Sequence, residues 1–355
     1  MPARKGLIAL GVLTLALATV PLFFEIYRTA AFDTVPRDDY APYLLALVGE
    51  GGEVPGAPFA YRIVSVAVAV PFYYLLPHFT FSQLQHVDPA YLRATQALSF
   101  VSYVSLILTA AVVFTVARRH YGASPVLSIV AGFVSLLLAN FIAKPGVDPI
   151  AILVISLLVL WQRRLVFFVP LVLVSAGVNE KIPILFVAVL AGRLLASLVE
   201  RRRFSGRAQL VAAGLATIGY FAAVLVLRVP GNEHQLNPAL ILAGLQATLI
   251  HSLSLRGFVL NVLPVLVLAM VILAALHGRA RSERCFHASD VLGAVTLLML
   301  ALSADVVFNV GRIVMYSYPL YLPAAAFAFE VYMVSDRAQR GAAGWSSAGN
   351  PGLGQ

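Results

Sequence analysis

The chain alternates between long apolar runs and short polar or arginine-rich segments. A helix needs about 20 apolar residues to cross the hydrocarbon core of a bilayer. Six runs are near that length, at 7–24, 92–117, 123–141, 208–228, 257–277 and 312–334, and four shorter ones are cleanly bounded, at 147–161, 165–178, 182–199 and 288–304. Backbone groups in lipid must be satisfied within the segment, and no run alternates like a barrel strand. The pattern predicts an all-α polytopic membrane protein of about ten transmembrane helices, within a range of 9–12.

Two further apolar stretches, 62–77 and 238–252, fall outside the count of ten. If only one of them crossed the membrane, every later arginine cluster would change sides. Prolines also interrupt the first region. We therefore predict interfacial or re-entrant helices on the outer side, the first within a long extracytoplasmic loop at 25–91 that also carries a helix at 40–48. If both stretches crossed, the protein would have twelve spans.

Charge supports this topology. The chain is 60% hydrophobic and 12% charged, whereas a soluble domain carries about 25% charged residues. The net charge of +9 comes largely from clusters beside alternate spans, at 4–5, 118–119, 163–164, 201–203 with 207, 279–284 and 337–340. By the positive-inside rule both termini are cytoplasmic, and no nucleic-acid partner is expected. We predict one transmembrane domain at 1–335 and a disordered Gly/Ser-rich tail at 336–355.

The first candidate for chemistry is a pair of adjacent carboxylates, Asp38 and Asp39, just after the first predicted span. Two such groups can divide roles, one accepting a proton and the other holding a cation or a substrate hydroxyl. The alternative is a solvated loop in which an aspartate caps the helix at 40–48.

Other charged residues stand at polar segments on the same predicted side. Arg62 ends the segment Pro58-Phe59-Ala60-Tyr61-Arg62, and a guanidinium there could clamp a phosphate. Three short turns add acids and bases: Lys144 with Asp148, Asn179 and Glu180 with Lys181, and Asp305 with Arg312. Taken singly, each fits a local ion pair. Together they predict a polar, basic-rimmed cavity for a phosphate or pyrophosphate headgroup. The sequence shows no metal-binding motif, so no metal ligands are predicted.

These residues resemble the GT-C superfamily, integral-membrane glycosyltransferases that use lipid-phosphate-linked sugars. Its members have a first span, then a long outer loop with an acidic residue near its start and membrane-lying helices. The similar segments here are Asp39-Tyr40, Pro58 to Arg62, Asn179-Glu180-Lys181, and Asp305 to Arg312 ahead of Pro319. The chain departs from some members in having no soluble C-terminal domain.

The resemblance implies a transferase of the bacterial plasma membrane that serves the cell envelope. It would move a sugar from a polyprenyl-phosphate donor to a glycan or lipid acceptor with inversion. Asp38 or Asp39 would be the base. The implied phosphate ligands are Arg62, Lys144, Lys181 and Arg312, and the implied supporting residues are Tyr40, Tyr61, Asp148, Asn179, Glu180 and Asp305. No cofactor is certain, and the need for a divalent cation stays open because it varies across the superfamily.

Two other functions use the same features. A transporter or flippase of lipid-linked intermediates would need the polar cavity without bond cleavage, although the charges stand at span ends and no internal repeat is visible. A non-catalytic membrane scaffold could have the same fold without any catalytic activity.

Overall fold

The structure is a computed structural model that describes residues 40–56, 59–76, 88–139, 147–227, 229, 238–277, 287–303 and 310–347. The first predicted span at 7–24 and four candidate site residues, Asp38, Asp39, Lys144 and Asp305, lie outside these ranges. Within them, the secondary structure is helical and contains no strand.

Fifteen helices are described along the chain. They are α1 (Tyr40–Val48), α2 (Ile63–Ala67), α3 (Val70–Leu75), α4 (Pro89–Arg119), α5 (Pro125–Ala139), α6 (Val147–Trp161), α7 (Leu165–Ser175), α8 (Lys181–Val199), α9 (Arg207–Val226), α10 (Pro238–Ser252), α11 (Leu255–Gly257), α12 (Leu263–His277), α13 (Val291–Ser303), α14 (Val310–Met315) and α15 (Tyr318–Ser347). A π-helical turn, Phe258–Val262, joins α11 to α12, and 3₁₀ turns precede α2 and α13.

Four helical segments are long and apolar enough to cross a membrane. They are Pro89–Arg119, Lys181–Val199, Arg207–Val226 and Leu255–Leu276. The helices α5, α6, α7 and α13 coincide with predicted spans, but their apolar segments have only 10–17 residues. An all-helical membrane protein is therefore supported, and the count of ten spans stays a prediction.

The exposed face of α9 is consistent with lipid contact. Val211, Leu215, Ile218 and Leu225 recur at helical spacing and are 58–72% exposed. A contiguous apolar stripe of this kind is rare on soluble monomers. In a bilayer the same stripe would face acyl chains.

Local sequence explains where the longest span begins and ends. Asp88 caps α4, since its side chain accepts a hydrogen bond from Ala90 N at 2.9 Å. Pro89 occupies the first helical position, where its missing N–H costs nothing. Arg118 and Arg119 lie in the last turn, where a positive charge interacts favourably with the helix dipole.

The structure modifies two predictions near the C-terminus. The run 312–334 is not one helix, because α14 ends at Met315 and α15 begins at Tyr318. Pro319 explains the break, since its ring and missing N–H prevent continuation of a preceding helix. Helix α15 continues to Ser347, past the predicted start of the tail at residue 336, and the run 337–340 (Arg-Ala-Gln-Arg) consists of good helix formers.

The segments predicted to lie on the outer side without crossing the membrane are helical, as expected. The helix at 40–48 is confirmed as α1. The stretch 62–77 forms two short helices, α2 and α3, with Pro71 at the start of the second. The stretch 238–252 is one helix, α10. Their depth in a membrane stays a prediction.

One large core of buried side chains connects most of the described helices, and a smaller cluster joins α4 to α5. The long helix α4 packs against α1, α5 and α6, and α8 packs against α9 and α13. Buried Ser99, Ser102, Ser105 and Thr109 recur along α4. Small side chains of this kind let helices approach closely in a membrane. This packing places α1, the start of α6, the start of α8 and α14 around one polar region.

Candidate functional site

A buried group of charged and polar side chains lies where several separate chain segments meet. We call it the charge cluster, and its members are Tyr40, Arg62, Asp148, Asn179, Glu180, Lys181, Arg312 and Tyr316. Burial of charged groups is unfavourable unless they are paired, and ionisable residues buried in membrane proteins usually serve function. The cluster is therefore the candidate site.

Arg62 and Glu180 form its first ion pair. Arg62 Nε donates to Glu180 Oε2 at 3.0 Å, and Arg62 Nη2 donates to Glu180 Oε1 at 2.7 Å. This is the bidentate geometry that suits a guanidinium and a carboxylate. Arg62 Nη1 also donates to the hydroxyl of Tyr40 at 2.9 Å, and the guanidinium lies 5.1 Å from the ring centre of Phe59. Lys181 Nζ donates to Glu180 Oε1 as well.

The backbone explains why Arg62 meets Glu180. Val64 N donates to Gly177 O at 3.0 Å, and Ser65 Oγ donates to Val178 O at 3.0 Å, so the start of α2 docks on the turn between α7 and α8. A Cβ on Gly177 would lie 2.7 Å from Val64 Cγ2, so glycine permits this close approach without moving Val64. Asn179 Oδ1 accepts from Lys181 N at 3.1 Å and shapes the turn before α8.

Asp148 and Arg312 form the second ion pair. Asp148 is 2% exposed and lies in the first turn of α6, where the helix dipole favours a negative charge. Its Oδ2 accepts from Arg312 Nη2, and its Oδ1 accepts from the hydroxyl of Tyr316. This pair joins α6 to α14.

The two ion pairs belong to one electrostatic site. Burial raises the pKa of Tyr40 to about 12, and its hydroxyl also senses the charges of Arg62, Asp148 and Arg312. Burial alone would raise the pKa of Glu180, but the charges of Arg62 and Lys181 outweigh it and hold that pKa far below its usual range. With three cations and two carboxylates, the described part of the cluster carries a net charge of +1. Its chemistry suits an anion.

The structure brings together seven of the predicted site residues, although the sequence analysis did not derive their pairing. These are Tyr40, Arg62, Asp148, Asn179, Glu180, Lys181 and Arg312. Tyr61 lies at the margin, where its ring meets Tyr220 of α9 edge-on at 5.6 Å.

Sequence reasoning missed Tyr316 and Phe59. Tyr316 follows Arg312 by four residues, the spacing that places two side chains on one helix face. That spacing could have pointed to it. Phe59 was visible only as part of the segment that ends at Arg62, and its contact with the guanidinium depends on the tertiary fold.

Over the ranges that the structure describes, no group of three or more His, Cys, Asp or Glu side chains could hold a metal ion. Comparisons with protein-family models, curated proteins and solved structures found no match to the chain. The functional proposal depends on the geometry of the charge cluster.

Proposed function

We propose that the protein is a membrane glycosyltransferase that moves a sugar from a polyprenyl-phosphate donor to a glycan or lipid acceptor. The observation that carries this proposal is the charge cluster itself, a buried site within an apolar helical protein whose described residues carry a net charge of +1. An intramembrane ionisable group is by default a functional candidate. A lipid-linked phosphate is the anion that such a protein would meet at the end of its helices.

The cations supply the main chemical requirement of the reaction. When the bond between the anomeric carbon and the phosphate oxygen breaks, negative charge grows on the leaving phosphate. Preorganised cations and N–H donors in a water-poor site stabilise that charge strongly. Lys181 and Arg312 are proposed for this role, Arg62 contributes its positive charge, and Lys144 is a fourth candidate outside the described residues.

The proposed base is Asp38 or Asp39. Both precede Tyr40, whose hydroxyl accepts a hydrogen bond from Arg62. The acceptor hydroxyl would lose its proton to an aspartate while its oxygen attacks the anomeric carbon and the polyprenyl phosphate leaves. One displacement inverts that carbon. The lipid tail fixes the depth of the donor and so orients it for attack.

The proposal requires the charge cluster to face the extracytoplasmic side. We propose about ten spans in a bacterial plasma membrane with both termini in the cytoplasm, based on the arginine clusters beside alternate spans. The two ends of α8 then have opposite locations, with Lys181 outside and the arginines after Val199 inside.

Cysteine labelling tests this orientation. In a Cys285→Ser background, Glu50→Cys should react with a membrane-impermeant maleimide in intact cells, because Glu50 is exposed at the end of α1. Arg201→Cys, which lies just beyond α8, should react only after the membranes are opened. The reverse pattern would place the charge cluster on the cytoplasmic side and contradict the proposal.

A transfer assay tests the function. The purified protein in proteoliposomes should convert a polyprenyl-phosphate sugar into free polyprenyl phosphate and glycosylated acceptor, and the Asp38→Asn/Asp39→Asn double variant is the inactive control. A transporter would move the lipid between leaflets without releasing polyprenyl phosphate. A scaffold would do neither. Either of those results would replace the proposed function.

A further inference from the structure

We propose that residues of the charge cluster have two different roles: Arg312 and Asn179 bind the anionic phosphate oxygens directly, whereas Arg62 and Glu180 hold the shape of the site. This inference rests on the proposed function for the identity of the anion. It makes Asn179, a residue expected only to support the site, a direct ligand, and it makes Arg62 a positioning residue.

All three guanidinium nitrogens of Arg62 donate a hydrogen bond within the protein. Of its five N–H donors, Nε–H and one on each Nη already bond to Glu180 or Tyr40, and the plane of the group contacts Phe59. Both oxygens of Glu180 are occupied by Arg62, and one of them also accepts from Lys181. This pair ties the start of α2 to the start of α8, a structural role.

Fewer of the nitrogens of Arg312 are bonded within the described part of the protein. Its Nη2 meets Asp148, but its Nε is buried and has no hydrogen-bond partner among the described residues. The side chain as a whole is 19% exposed, and the exposed part lies away from the Nε atom, which is buried. A guanidinium that already pairs with a carboxylate through Nη2 can still present Nε–H to a phosphate oxygen.

Asn179 offers a second donor of the same kind. The residue is 0% exposed, and its Oδ1 is taken by Lys181 N, which orients the amide. Its Nδ2 has no hydrogen-bond acceptor in the described part of the chain. Leaving a buried donor unpaired is unfavourable, so an anionic oxygen beside it is favoured.

A third ion pair, outside the charge cluster, shows an arginine whose nitrogens are all hydrogen-bonded. Arg193 of α8 donates through Nε and Nη2 to Asp290 at 2.6 and 2.7 Å, and through Nη1 to Gln162 at 3.2 Å. All three of its nitrogens are bonded within the protein. Twelve residues of helix separate Arg193 from Lys181, about 18 Å along α8. The unpaired Nε of Arg312 therefore distinguishes the charge cluster from the ion pair of Arg193, and Arg193 provides a matched control.

Equilibrium binding of polyprenyl phosphate without a sugar tests the division of roles. Arg312→Lys keeps the charge beside Asp148 but removes Nε–H, and Asn179→Asp keeps the acceptor for Lys181 N but removes the Nδ2 donors. Arg312→Lys should weaken binding about ten- to a hundredfold, as expected for a lost hydrogen bond to a charged group, and Asn179→Asp should weaken it at least as much, because its carboxylate also repels the phosphate. Arg193→Lys should bind like the wild type. Thermal unfolding of each variant in detergent checks that the fold is retained.

Competition identifies the source of the anion. Displacement of the lipid by inorganic phosphate supports headgroup recognition by these donors, whereas equal binding of the uncharged polyprenyl alcohol would overturn it. Failure of the wild type to bind polyprenyl phosphate, or normal binding by both Arg312→Lys and Asn179→Asp, would also overturn it. If the expected binding losses appear but no sugar is transferred, the anion site stands and the proposed function alone fails.

Discussion

Replacement of Glu180 by glutamine should lower the free energy of unfolding by about 3–5 kcal/mol, the usual effect of removing one partner from a buried ion pair. Glutamine keeps the shape of the side chain but removes the negative charge that faces Arg62 and Lys181. Glu180 and Arg62 are both buried, with side chains 10% and 5% exposed, so water cannot replace the lost charge. The midpoint of denaturant-induced unfolding in mixed micelles measures the effect.

Glu200 provides the control. It lies just after α8 and pairs with Arg202 at 3.5 Å, but these side chains are 46% and 69% exposed. Exposed pairs contribute roughly 0–1 kcal/mol, so Glu200→Gln should have little effect on stability. Equal effects of Glu180→Gln and Glu200→Gln would mean that the pair with Arg62 is as solvated as a surface pair.

The Glu180 carboxylate also makes the stability of the folded protein depend on pH. Because the pKa of Glu180 is held far below its usual range in the folded protein, the unfolded chain takes up the proton first as pH falls. The stabilisation is complete above about pH 4.3, the ordinary pKa of a glutamate, and is lost progressively below it. Glu180→Gln should remove this part of the acid sensitivity.

The second large effect is expected on the rate of sugar transfer. One of the variants Asp38→Asn and Asp39→Asn should reduce sugar transfer by about 10²–10⁴-fold, the usual contribution of a general base. Asparagine matches aspartate in size but cannot accept the proton of the acceptor hydroxyl. Donor affinity should stay near the wild-type value, because the proposed base acts on the acceptor. Single-turnover transfer with saturating donor separates the two aspartates.

Asp88→Asn is the matched control for this experiment. Asp88 is an exposed aspartate of the same predicted outer loop, and it caps α4 through its side-chain oxygen. Asparagine caps a helix about as well as aspartate, so this variant should transfer sugar normally. Full turnover by both Asp38→Asn and Asp39→Asn would show that neither carboxylate is the base.

Sequence patterns were most informative about the helices. The apolar runs at 147–161 and 182–199 lie within one residue of α6 and α8, because a buried helix is defined by a continuous apolar run between polar ends. The convergence of the site was also predictable in outline. If alternate helix ends share a membrane side, the polar turns at those ends are neighbours.

Pairing between distant segments of the site could not be predicted in this way. The sequence suggested local partners, of which Lys181 for Glu180 is confirmed, whereas Lys144 for Asp148 and Asp305 for Arg312 involve residues outside the described ranges. The structure also pairs Asp148 with Arg312 across 164 residues, and Arg62 with Glu180 across 118. A buried charge pairs with whichever opposite charge the packing brings to it. That choice depends on helix packing, which hydropathy does not specify.

The docking of α2 on the turn after α7 has a consequence for biosynthesis. Arg62 leaves the ribosome 118 residues before Glu180, an interval of about 6–24 s at ordinary rates of synthesis of roughly 5–20 residues per second. For that time its guanidinium has no counter-charge from Glu180 and is most stable in the aqueous phase. The segment around Arg62 therefore reaches its place late, only once α8 has been inserted, and a nascent chain arrested before Glu180 should leave it open to protease.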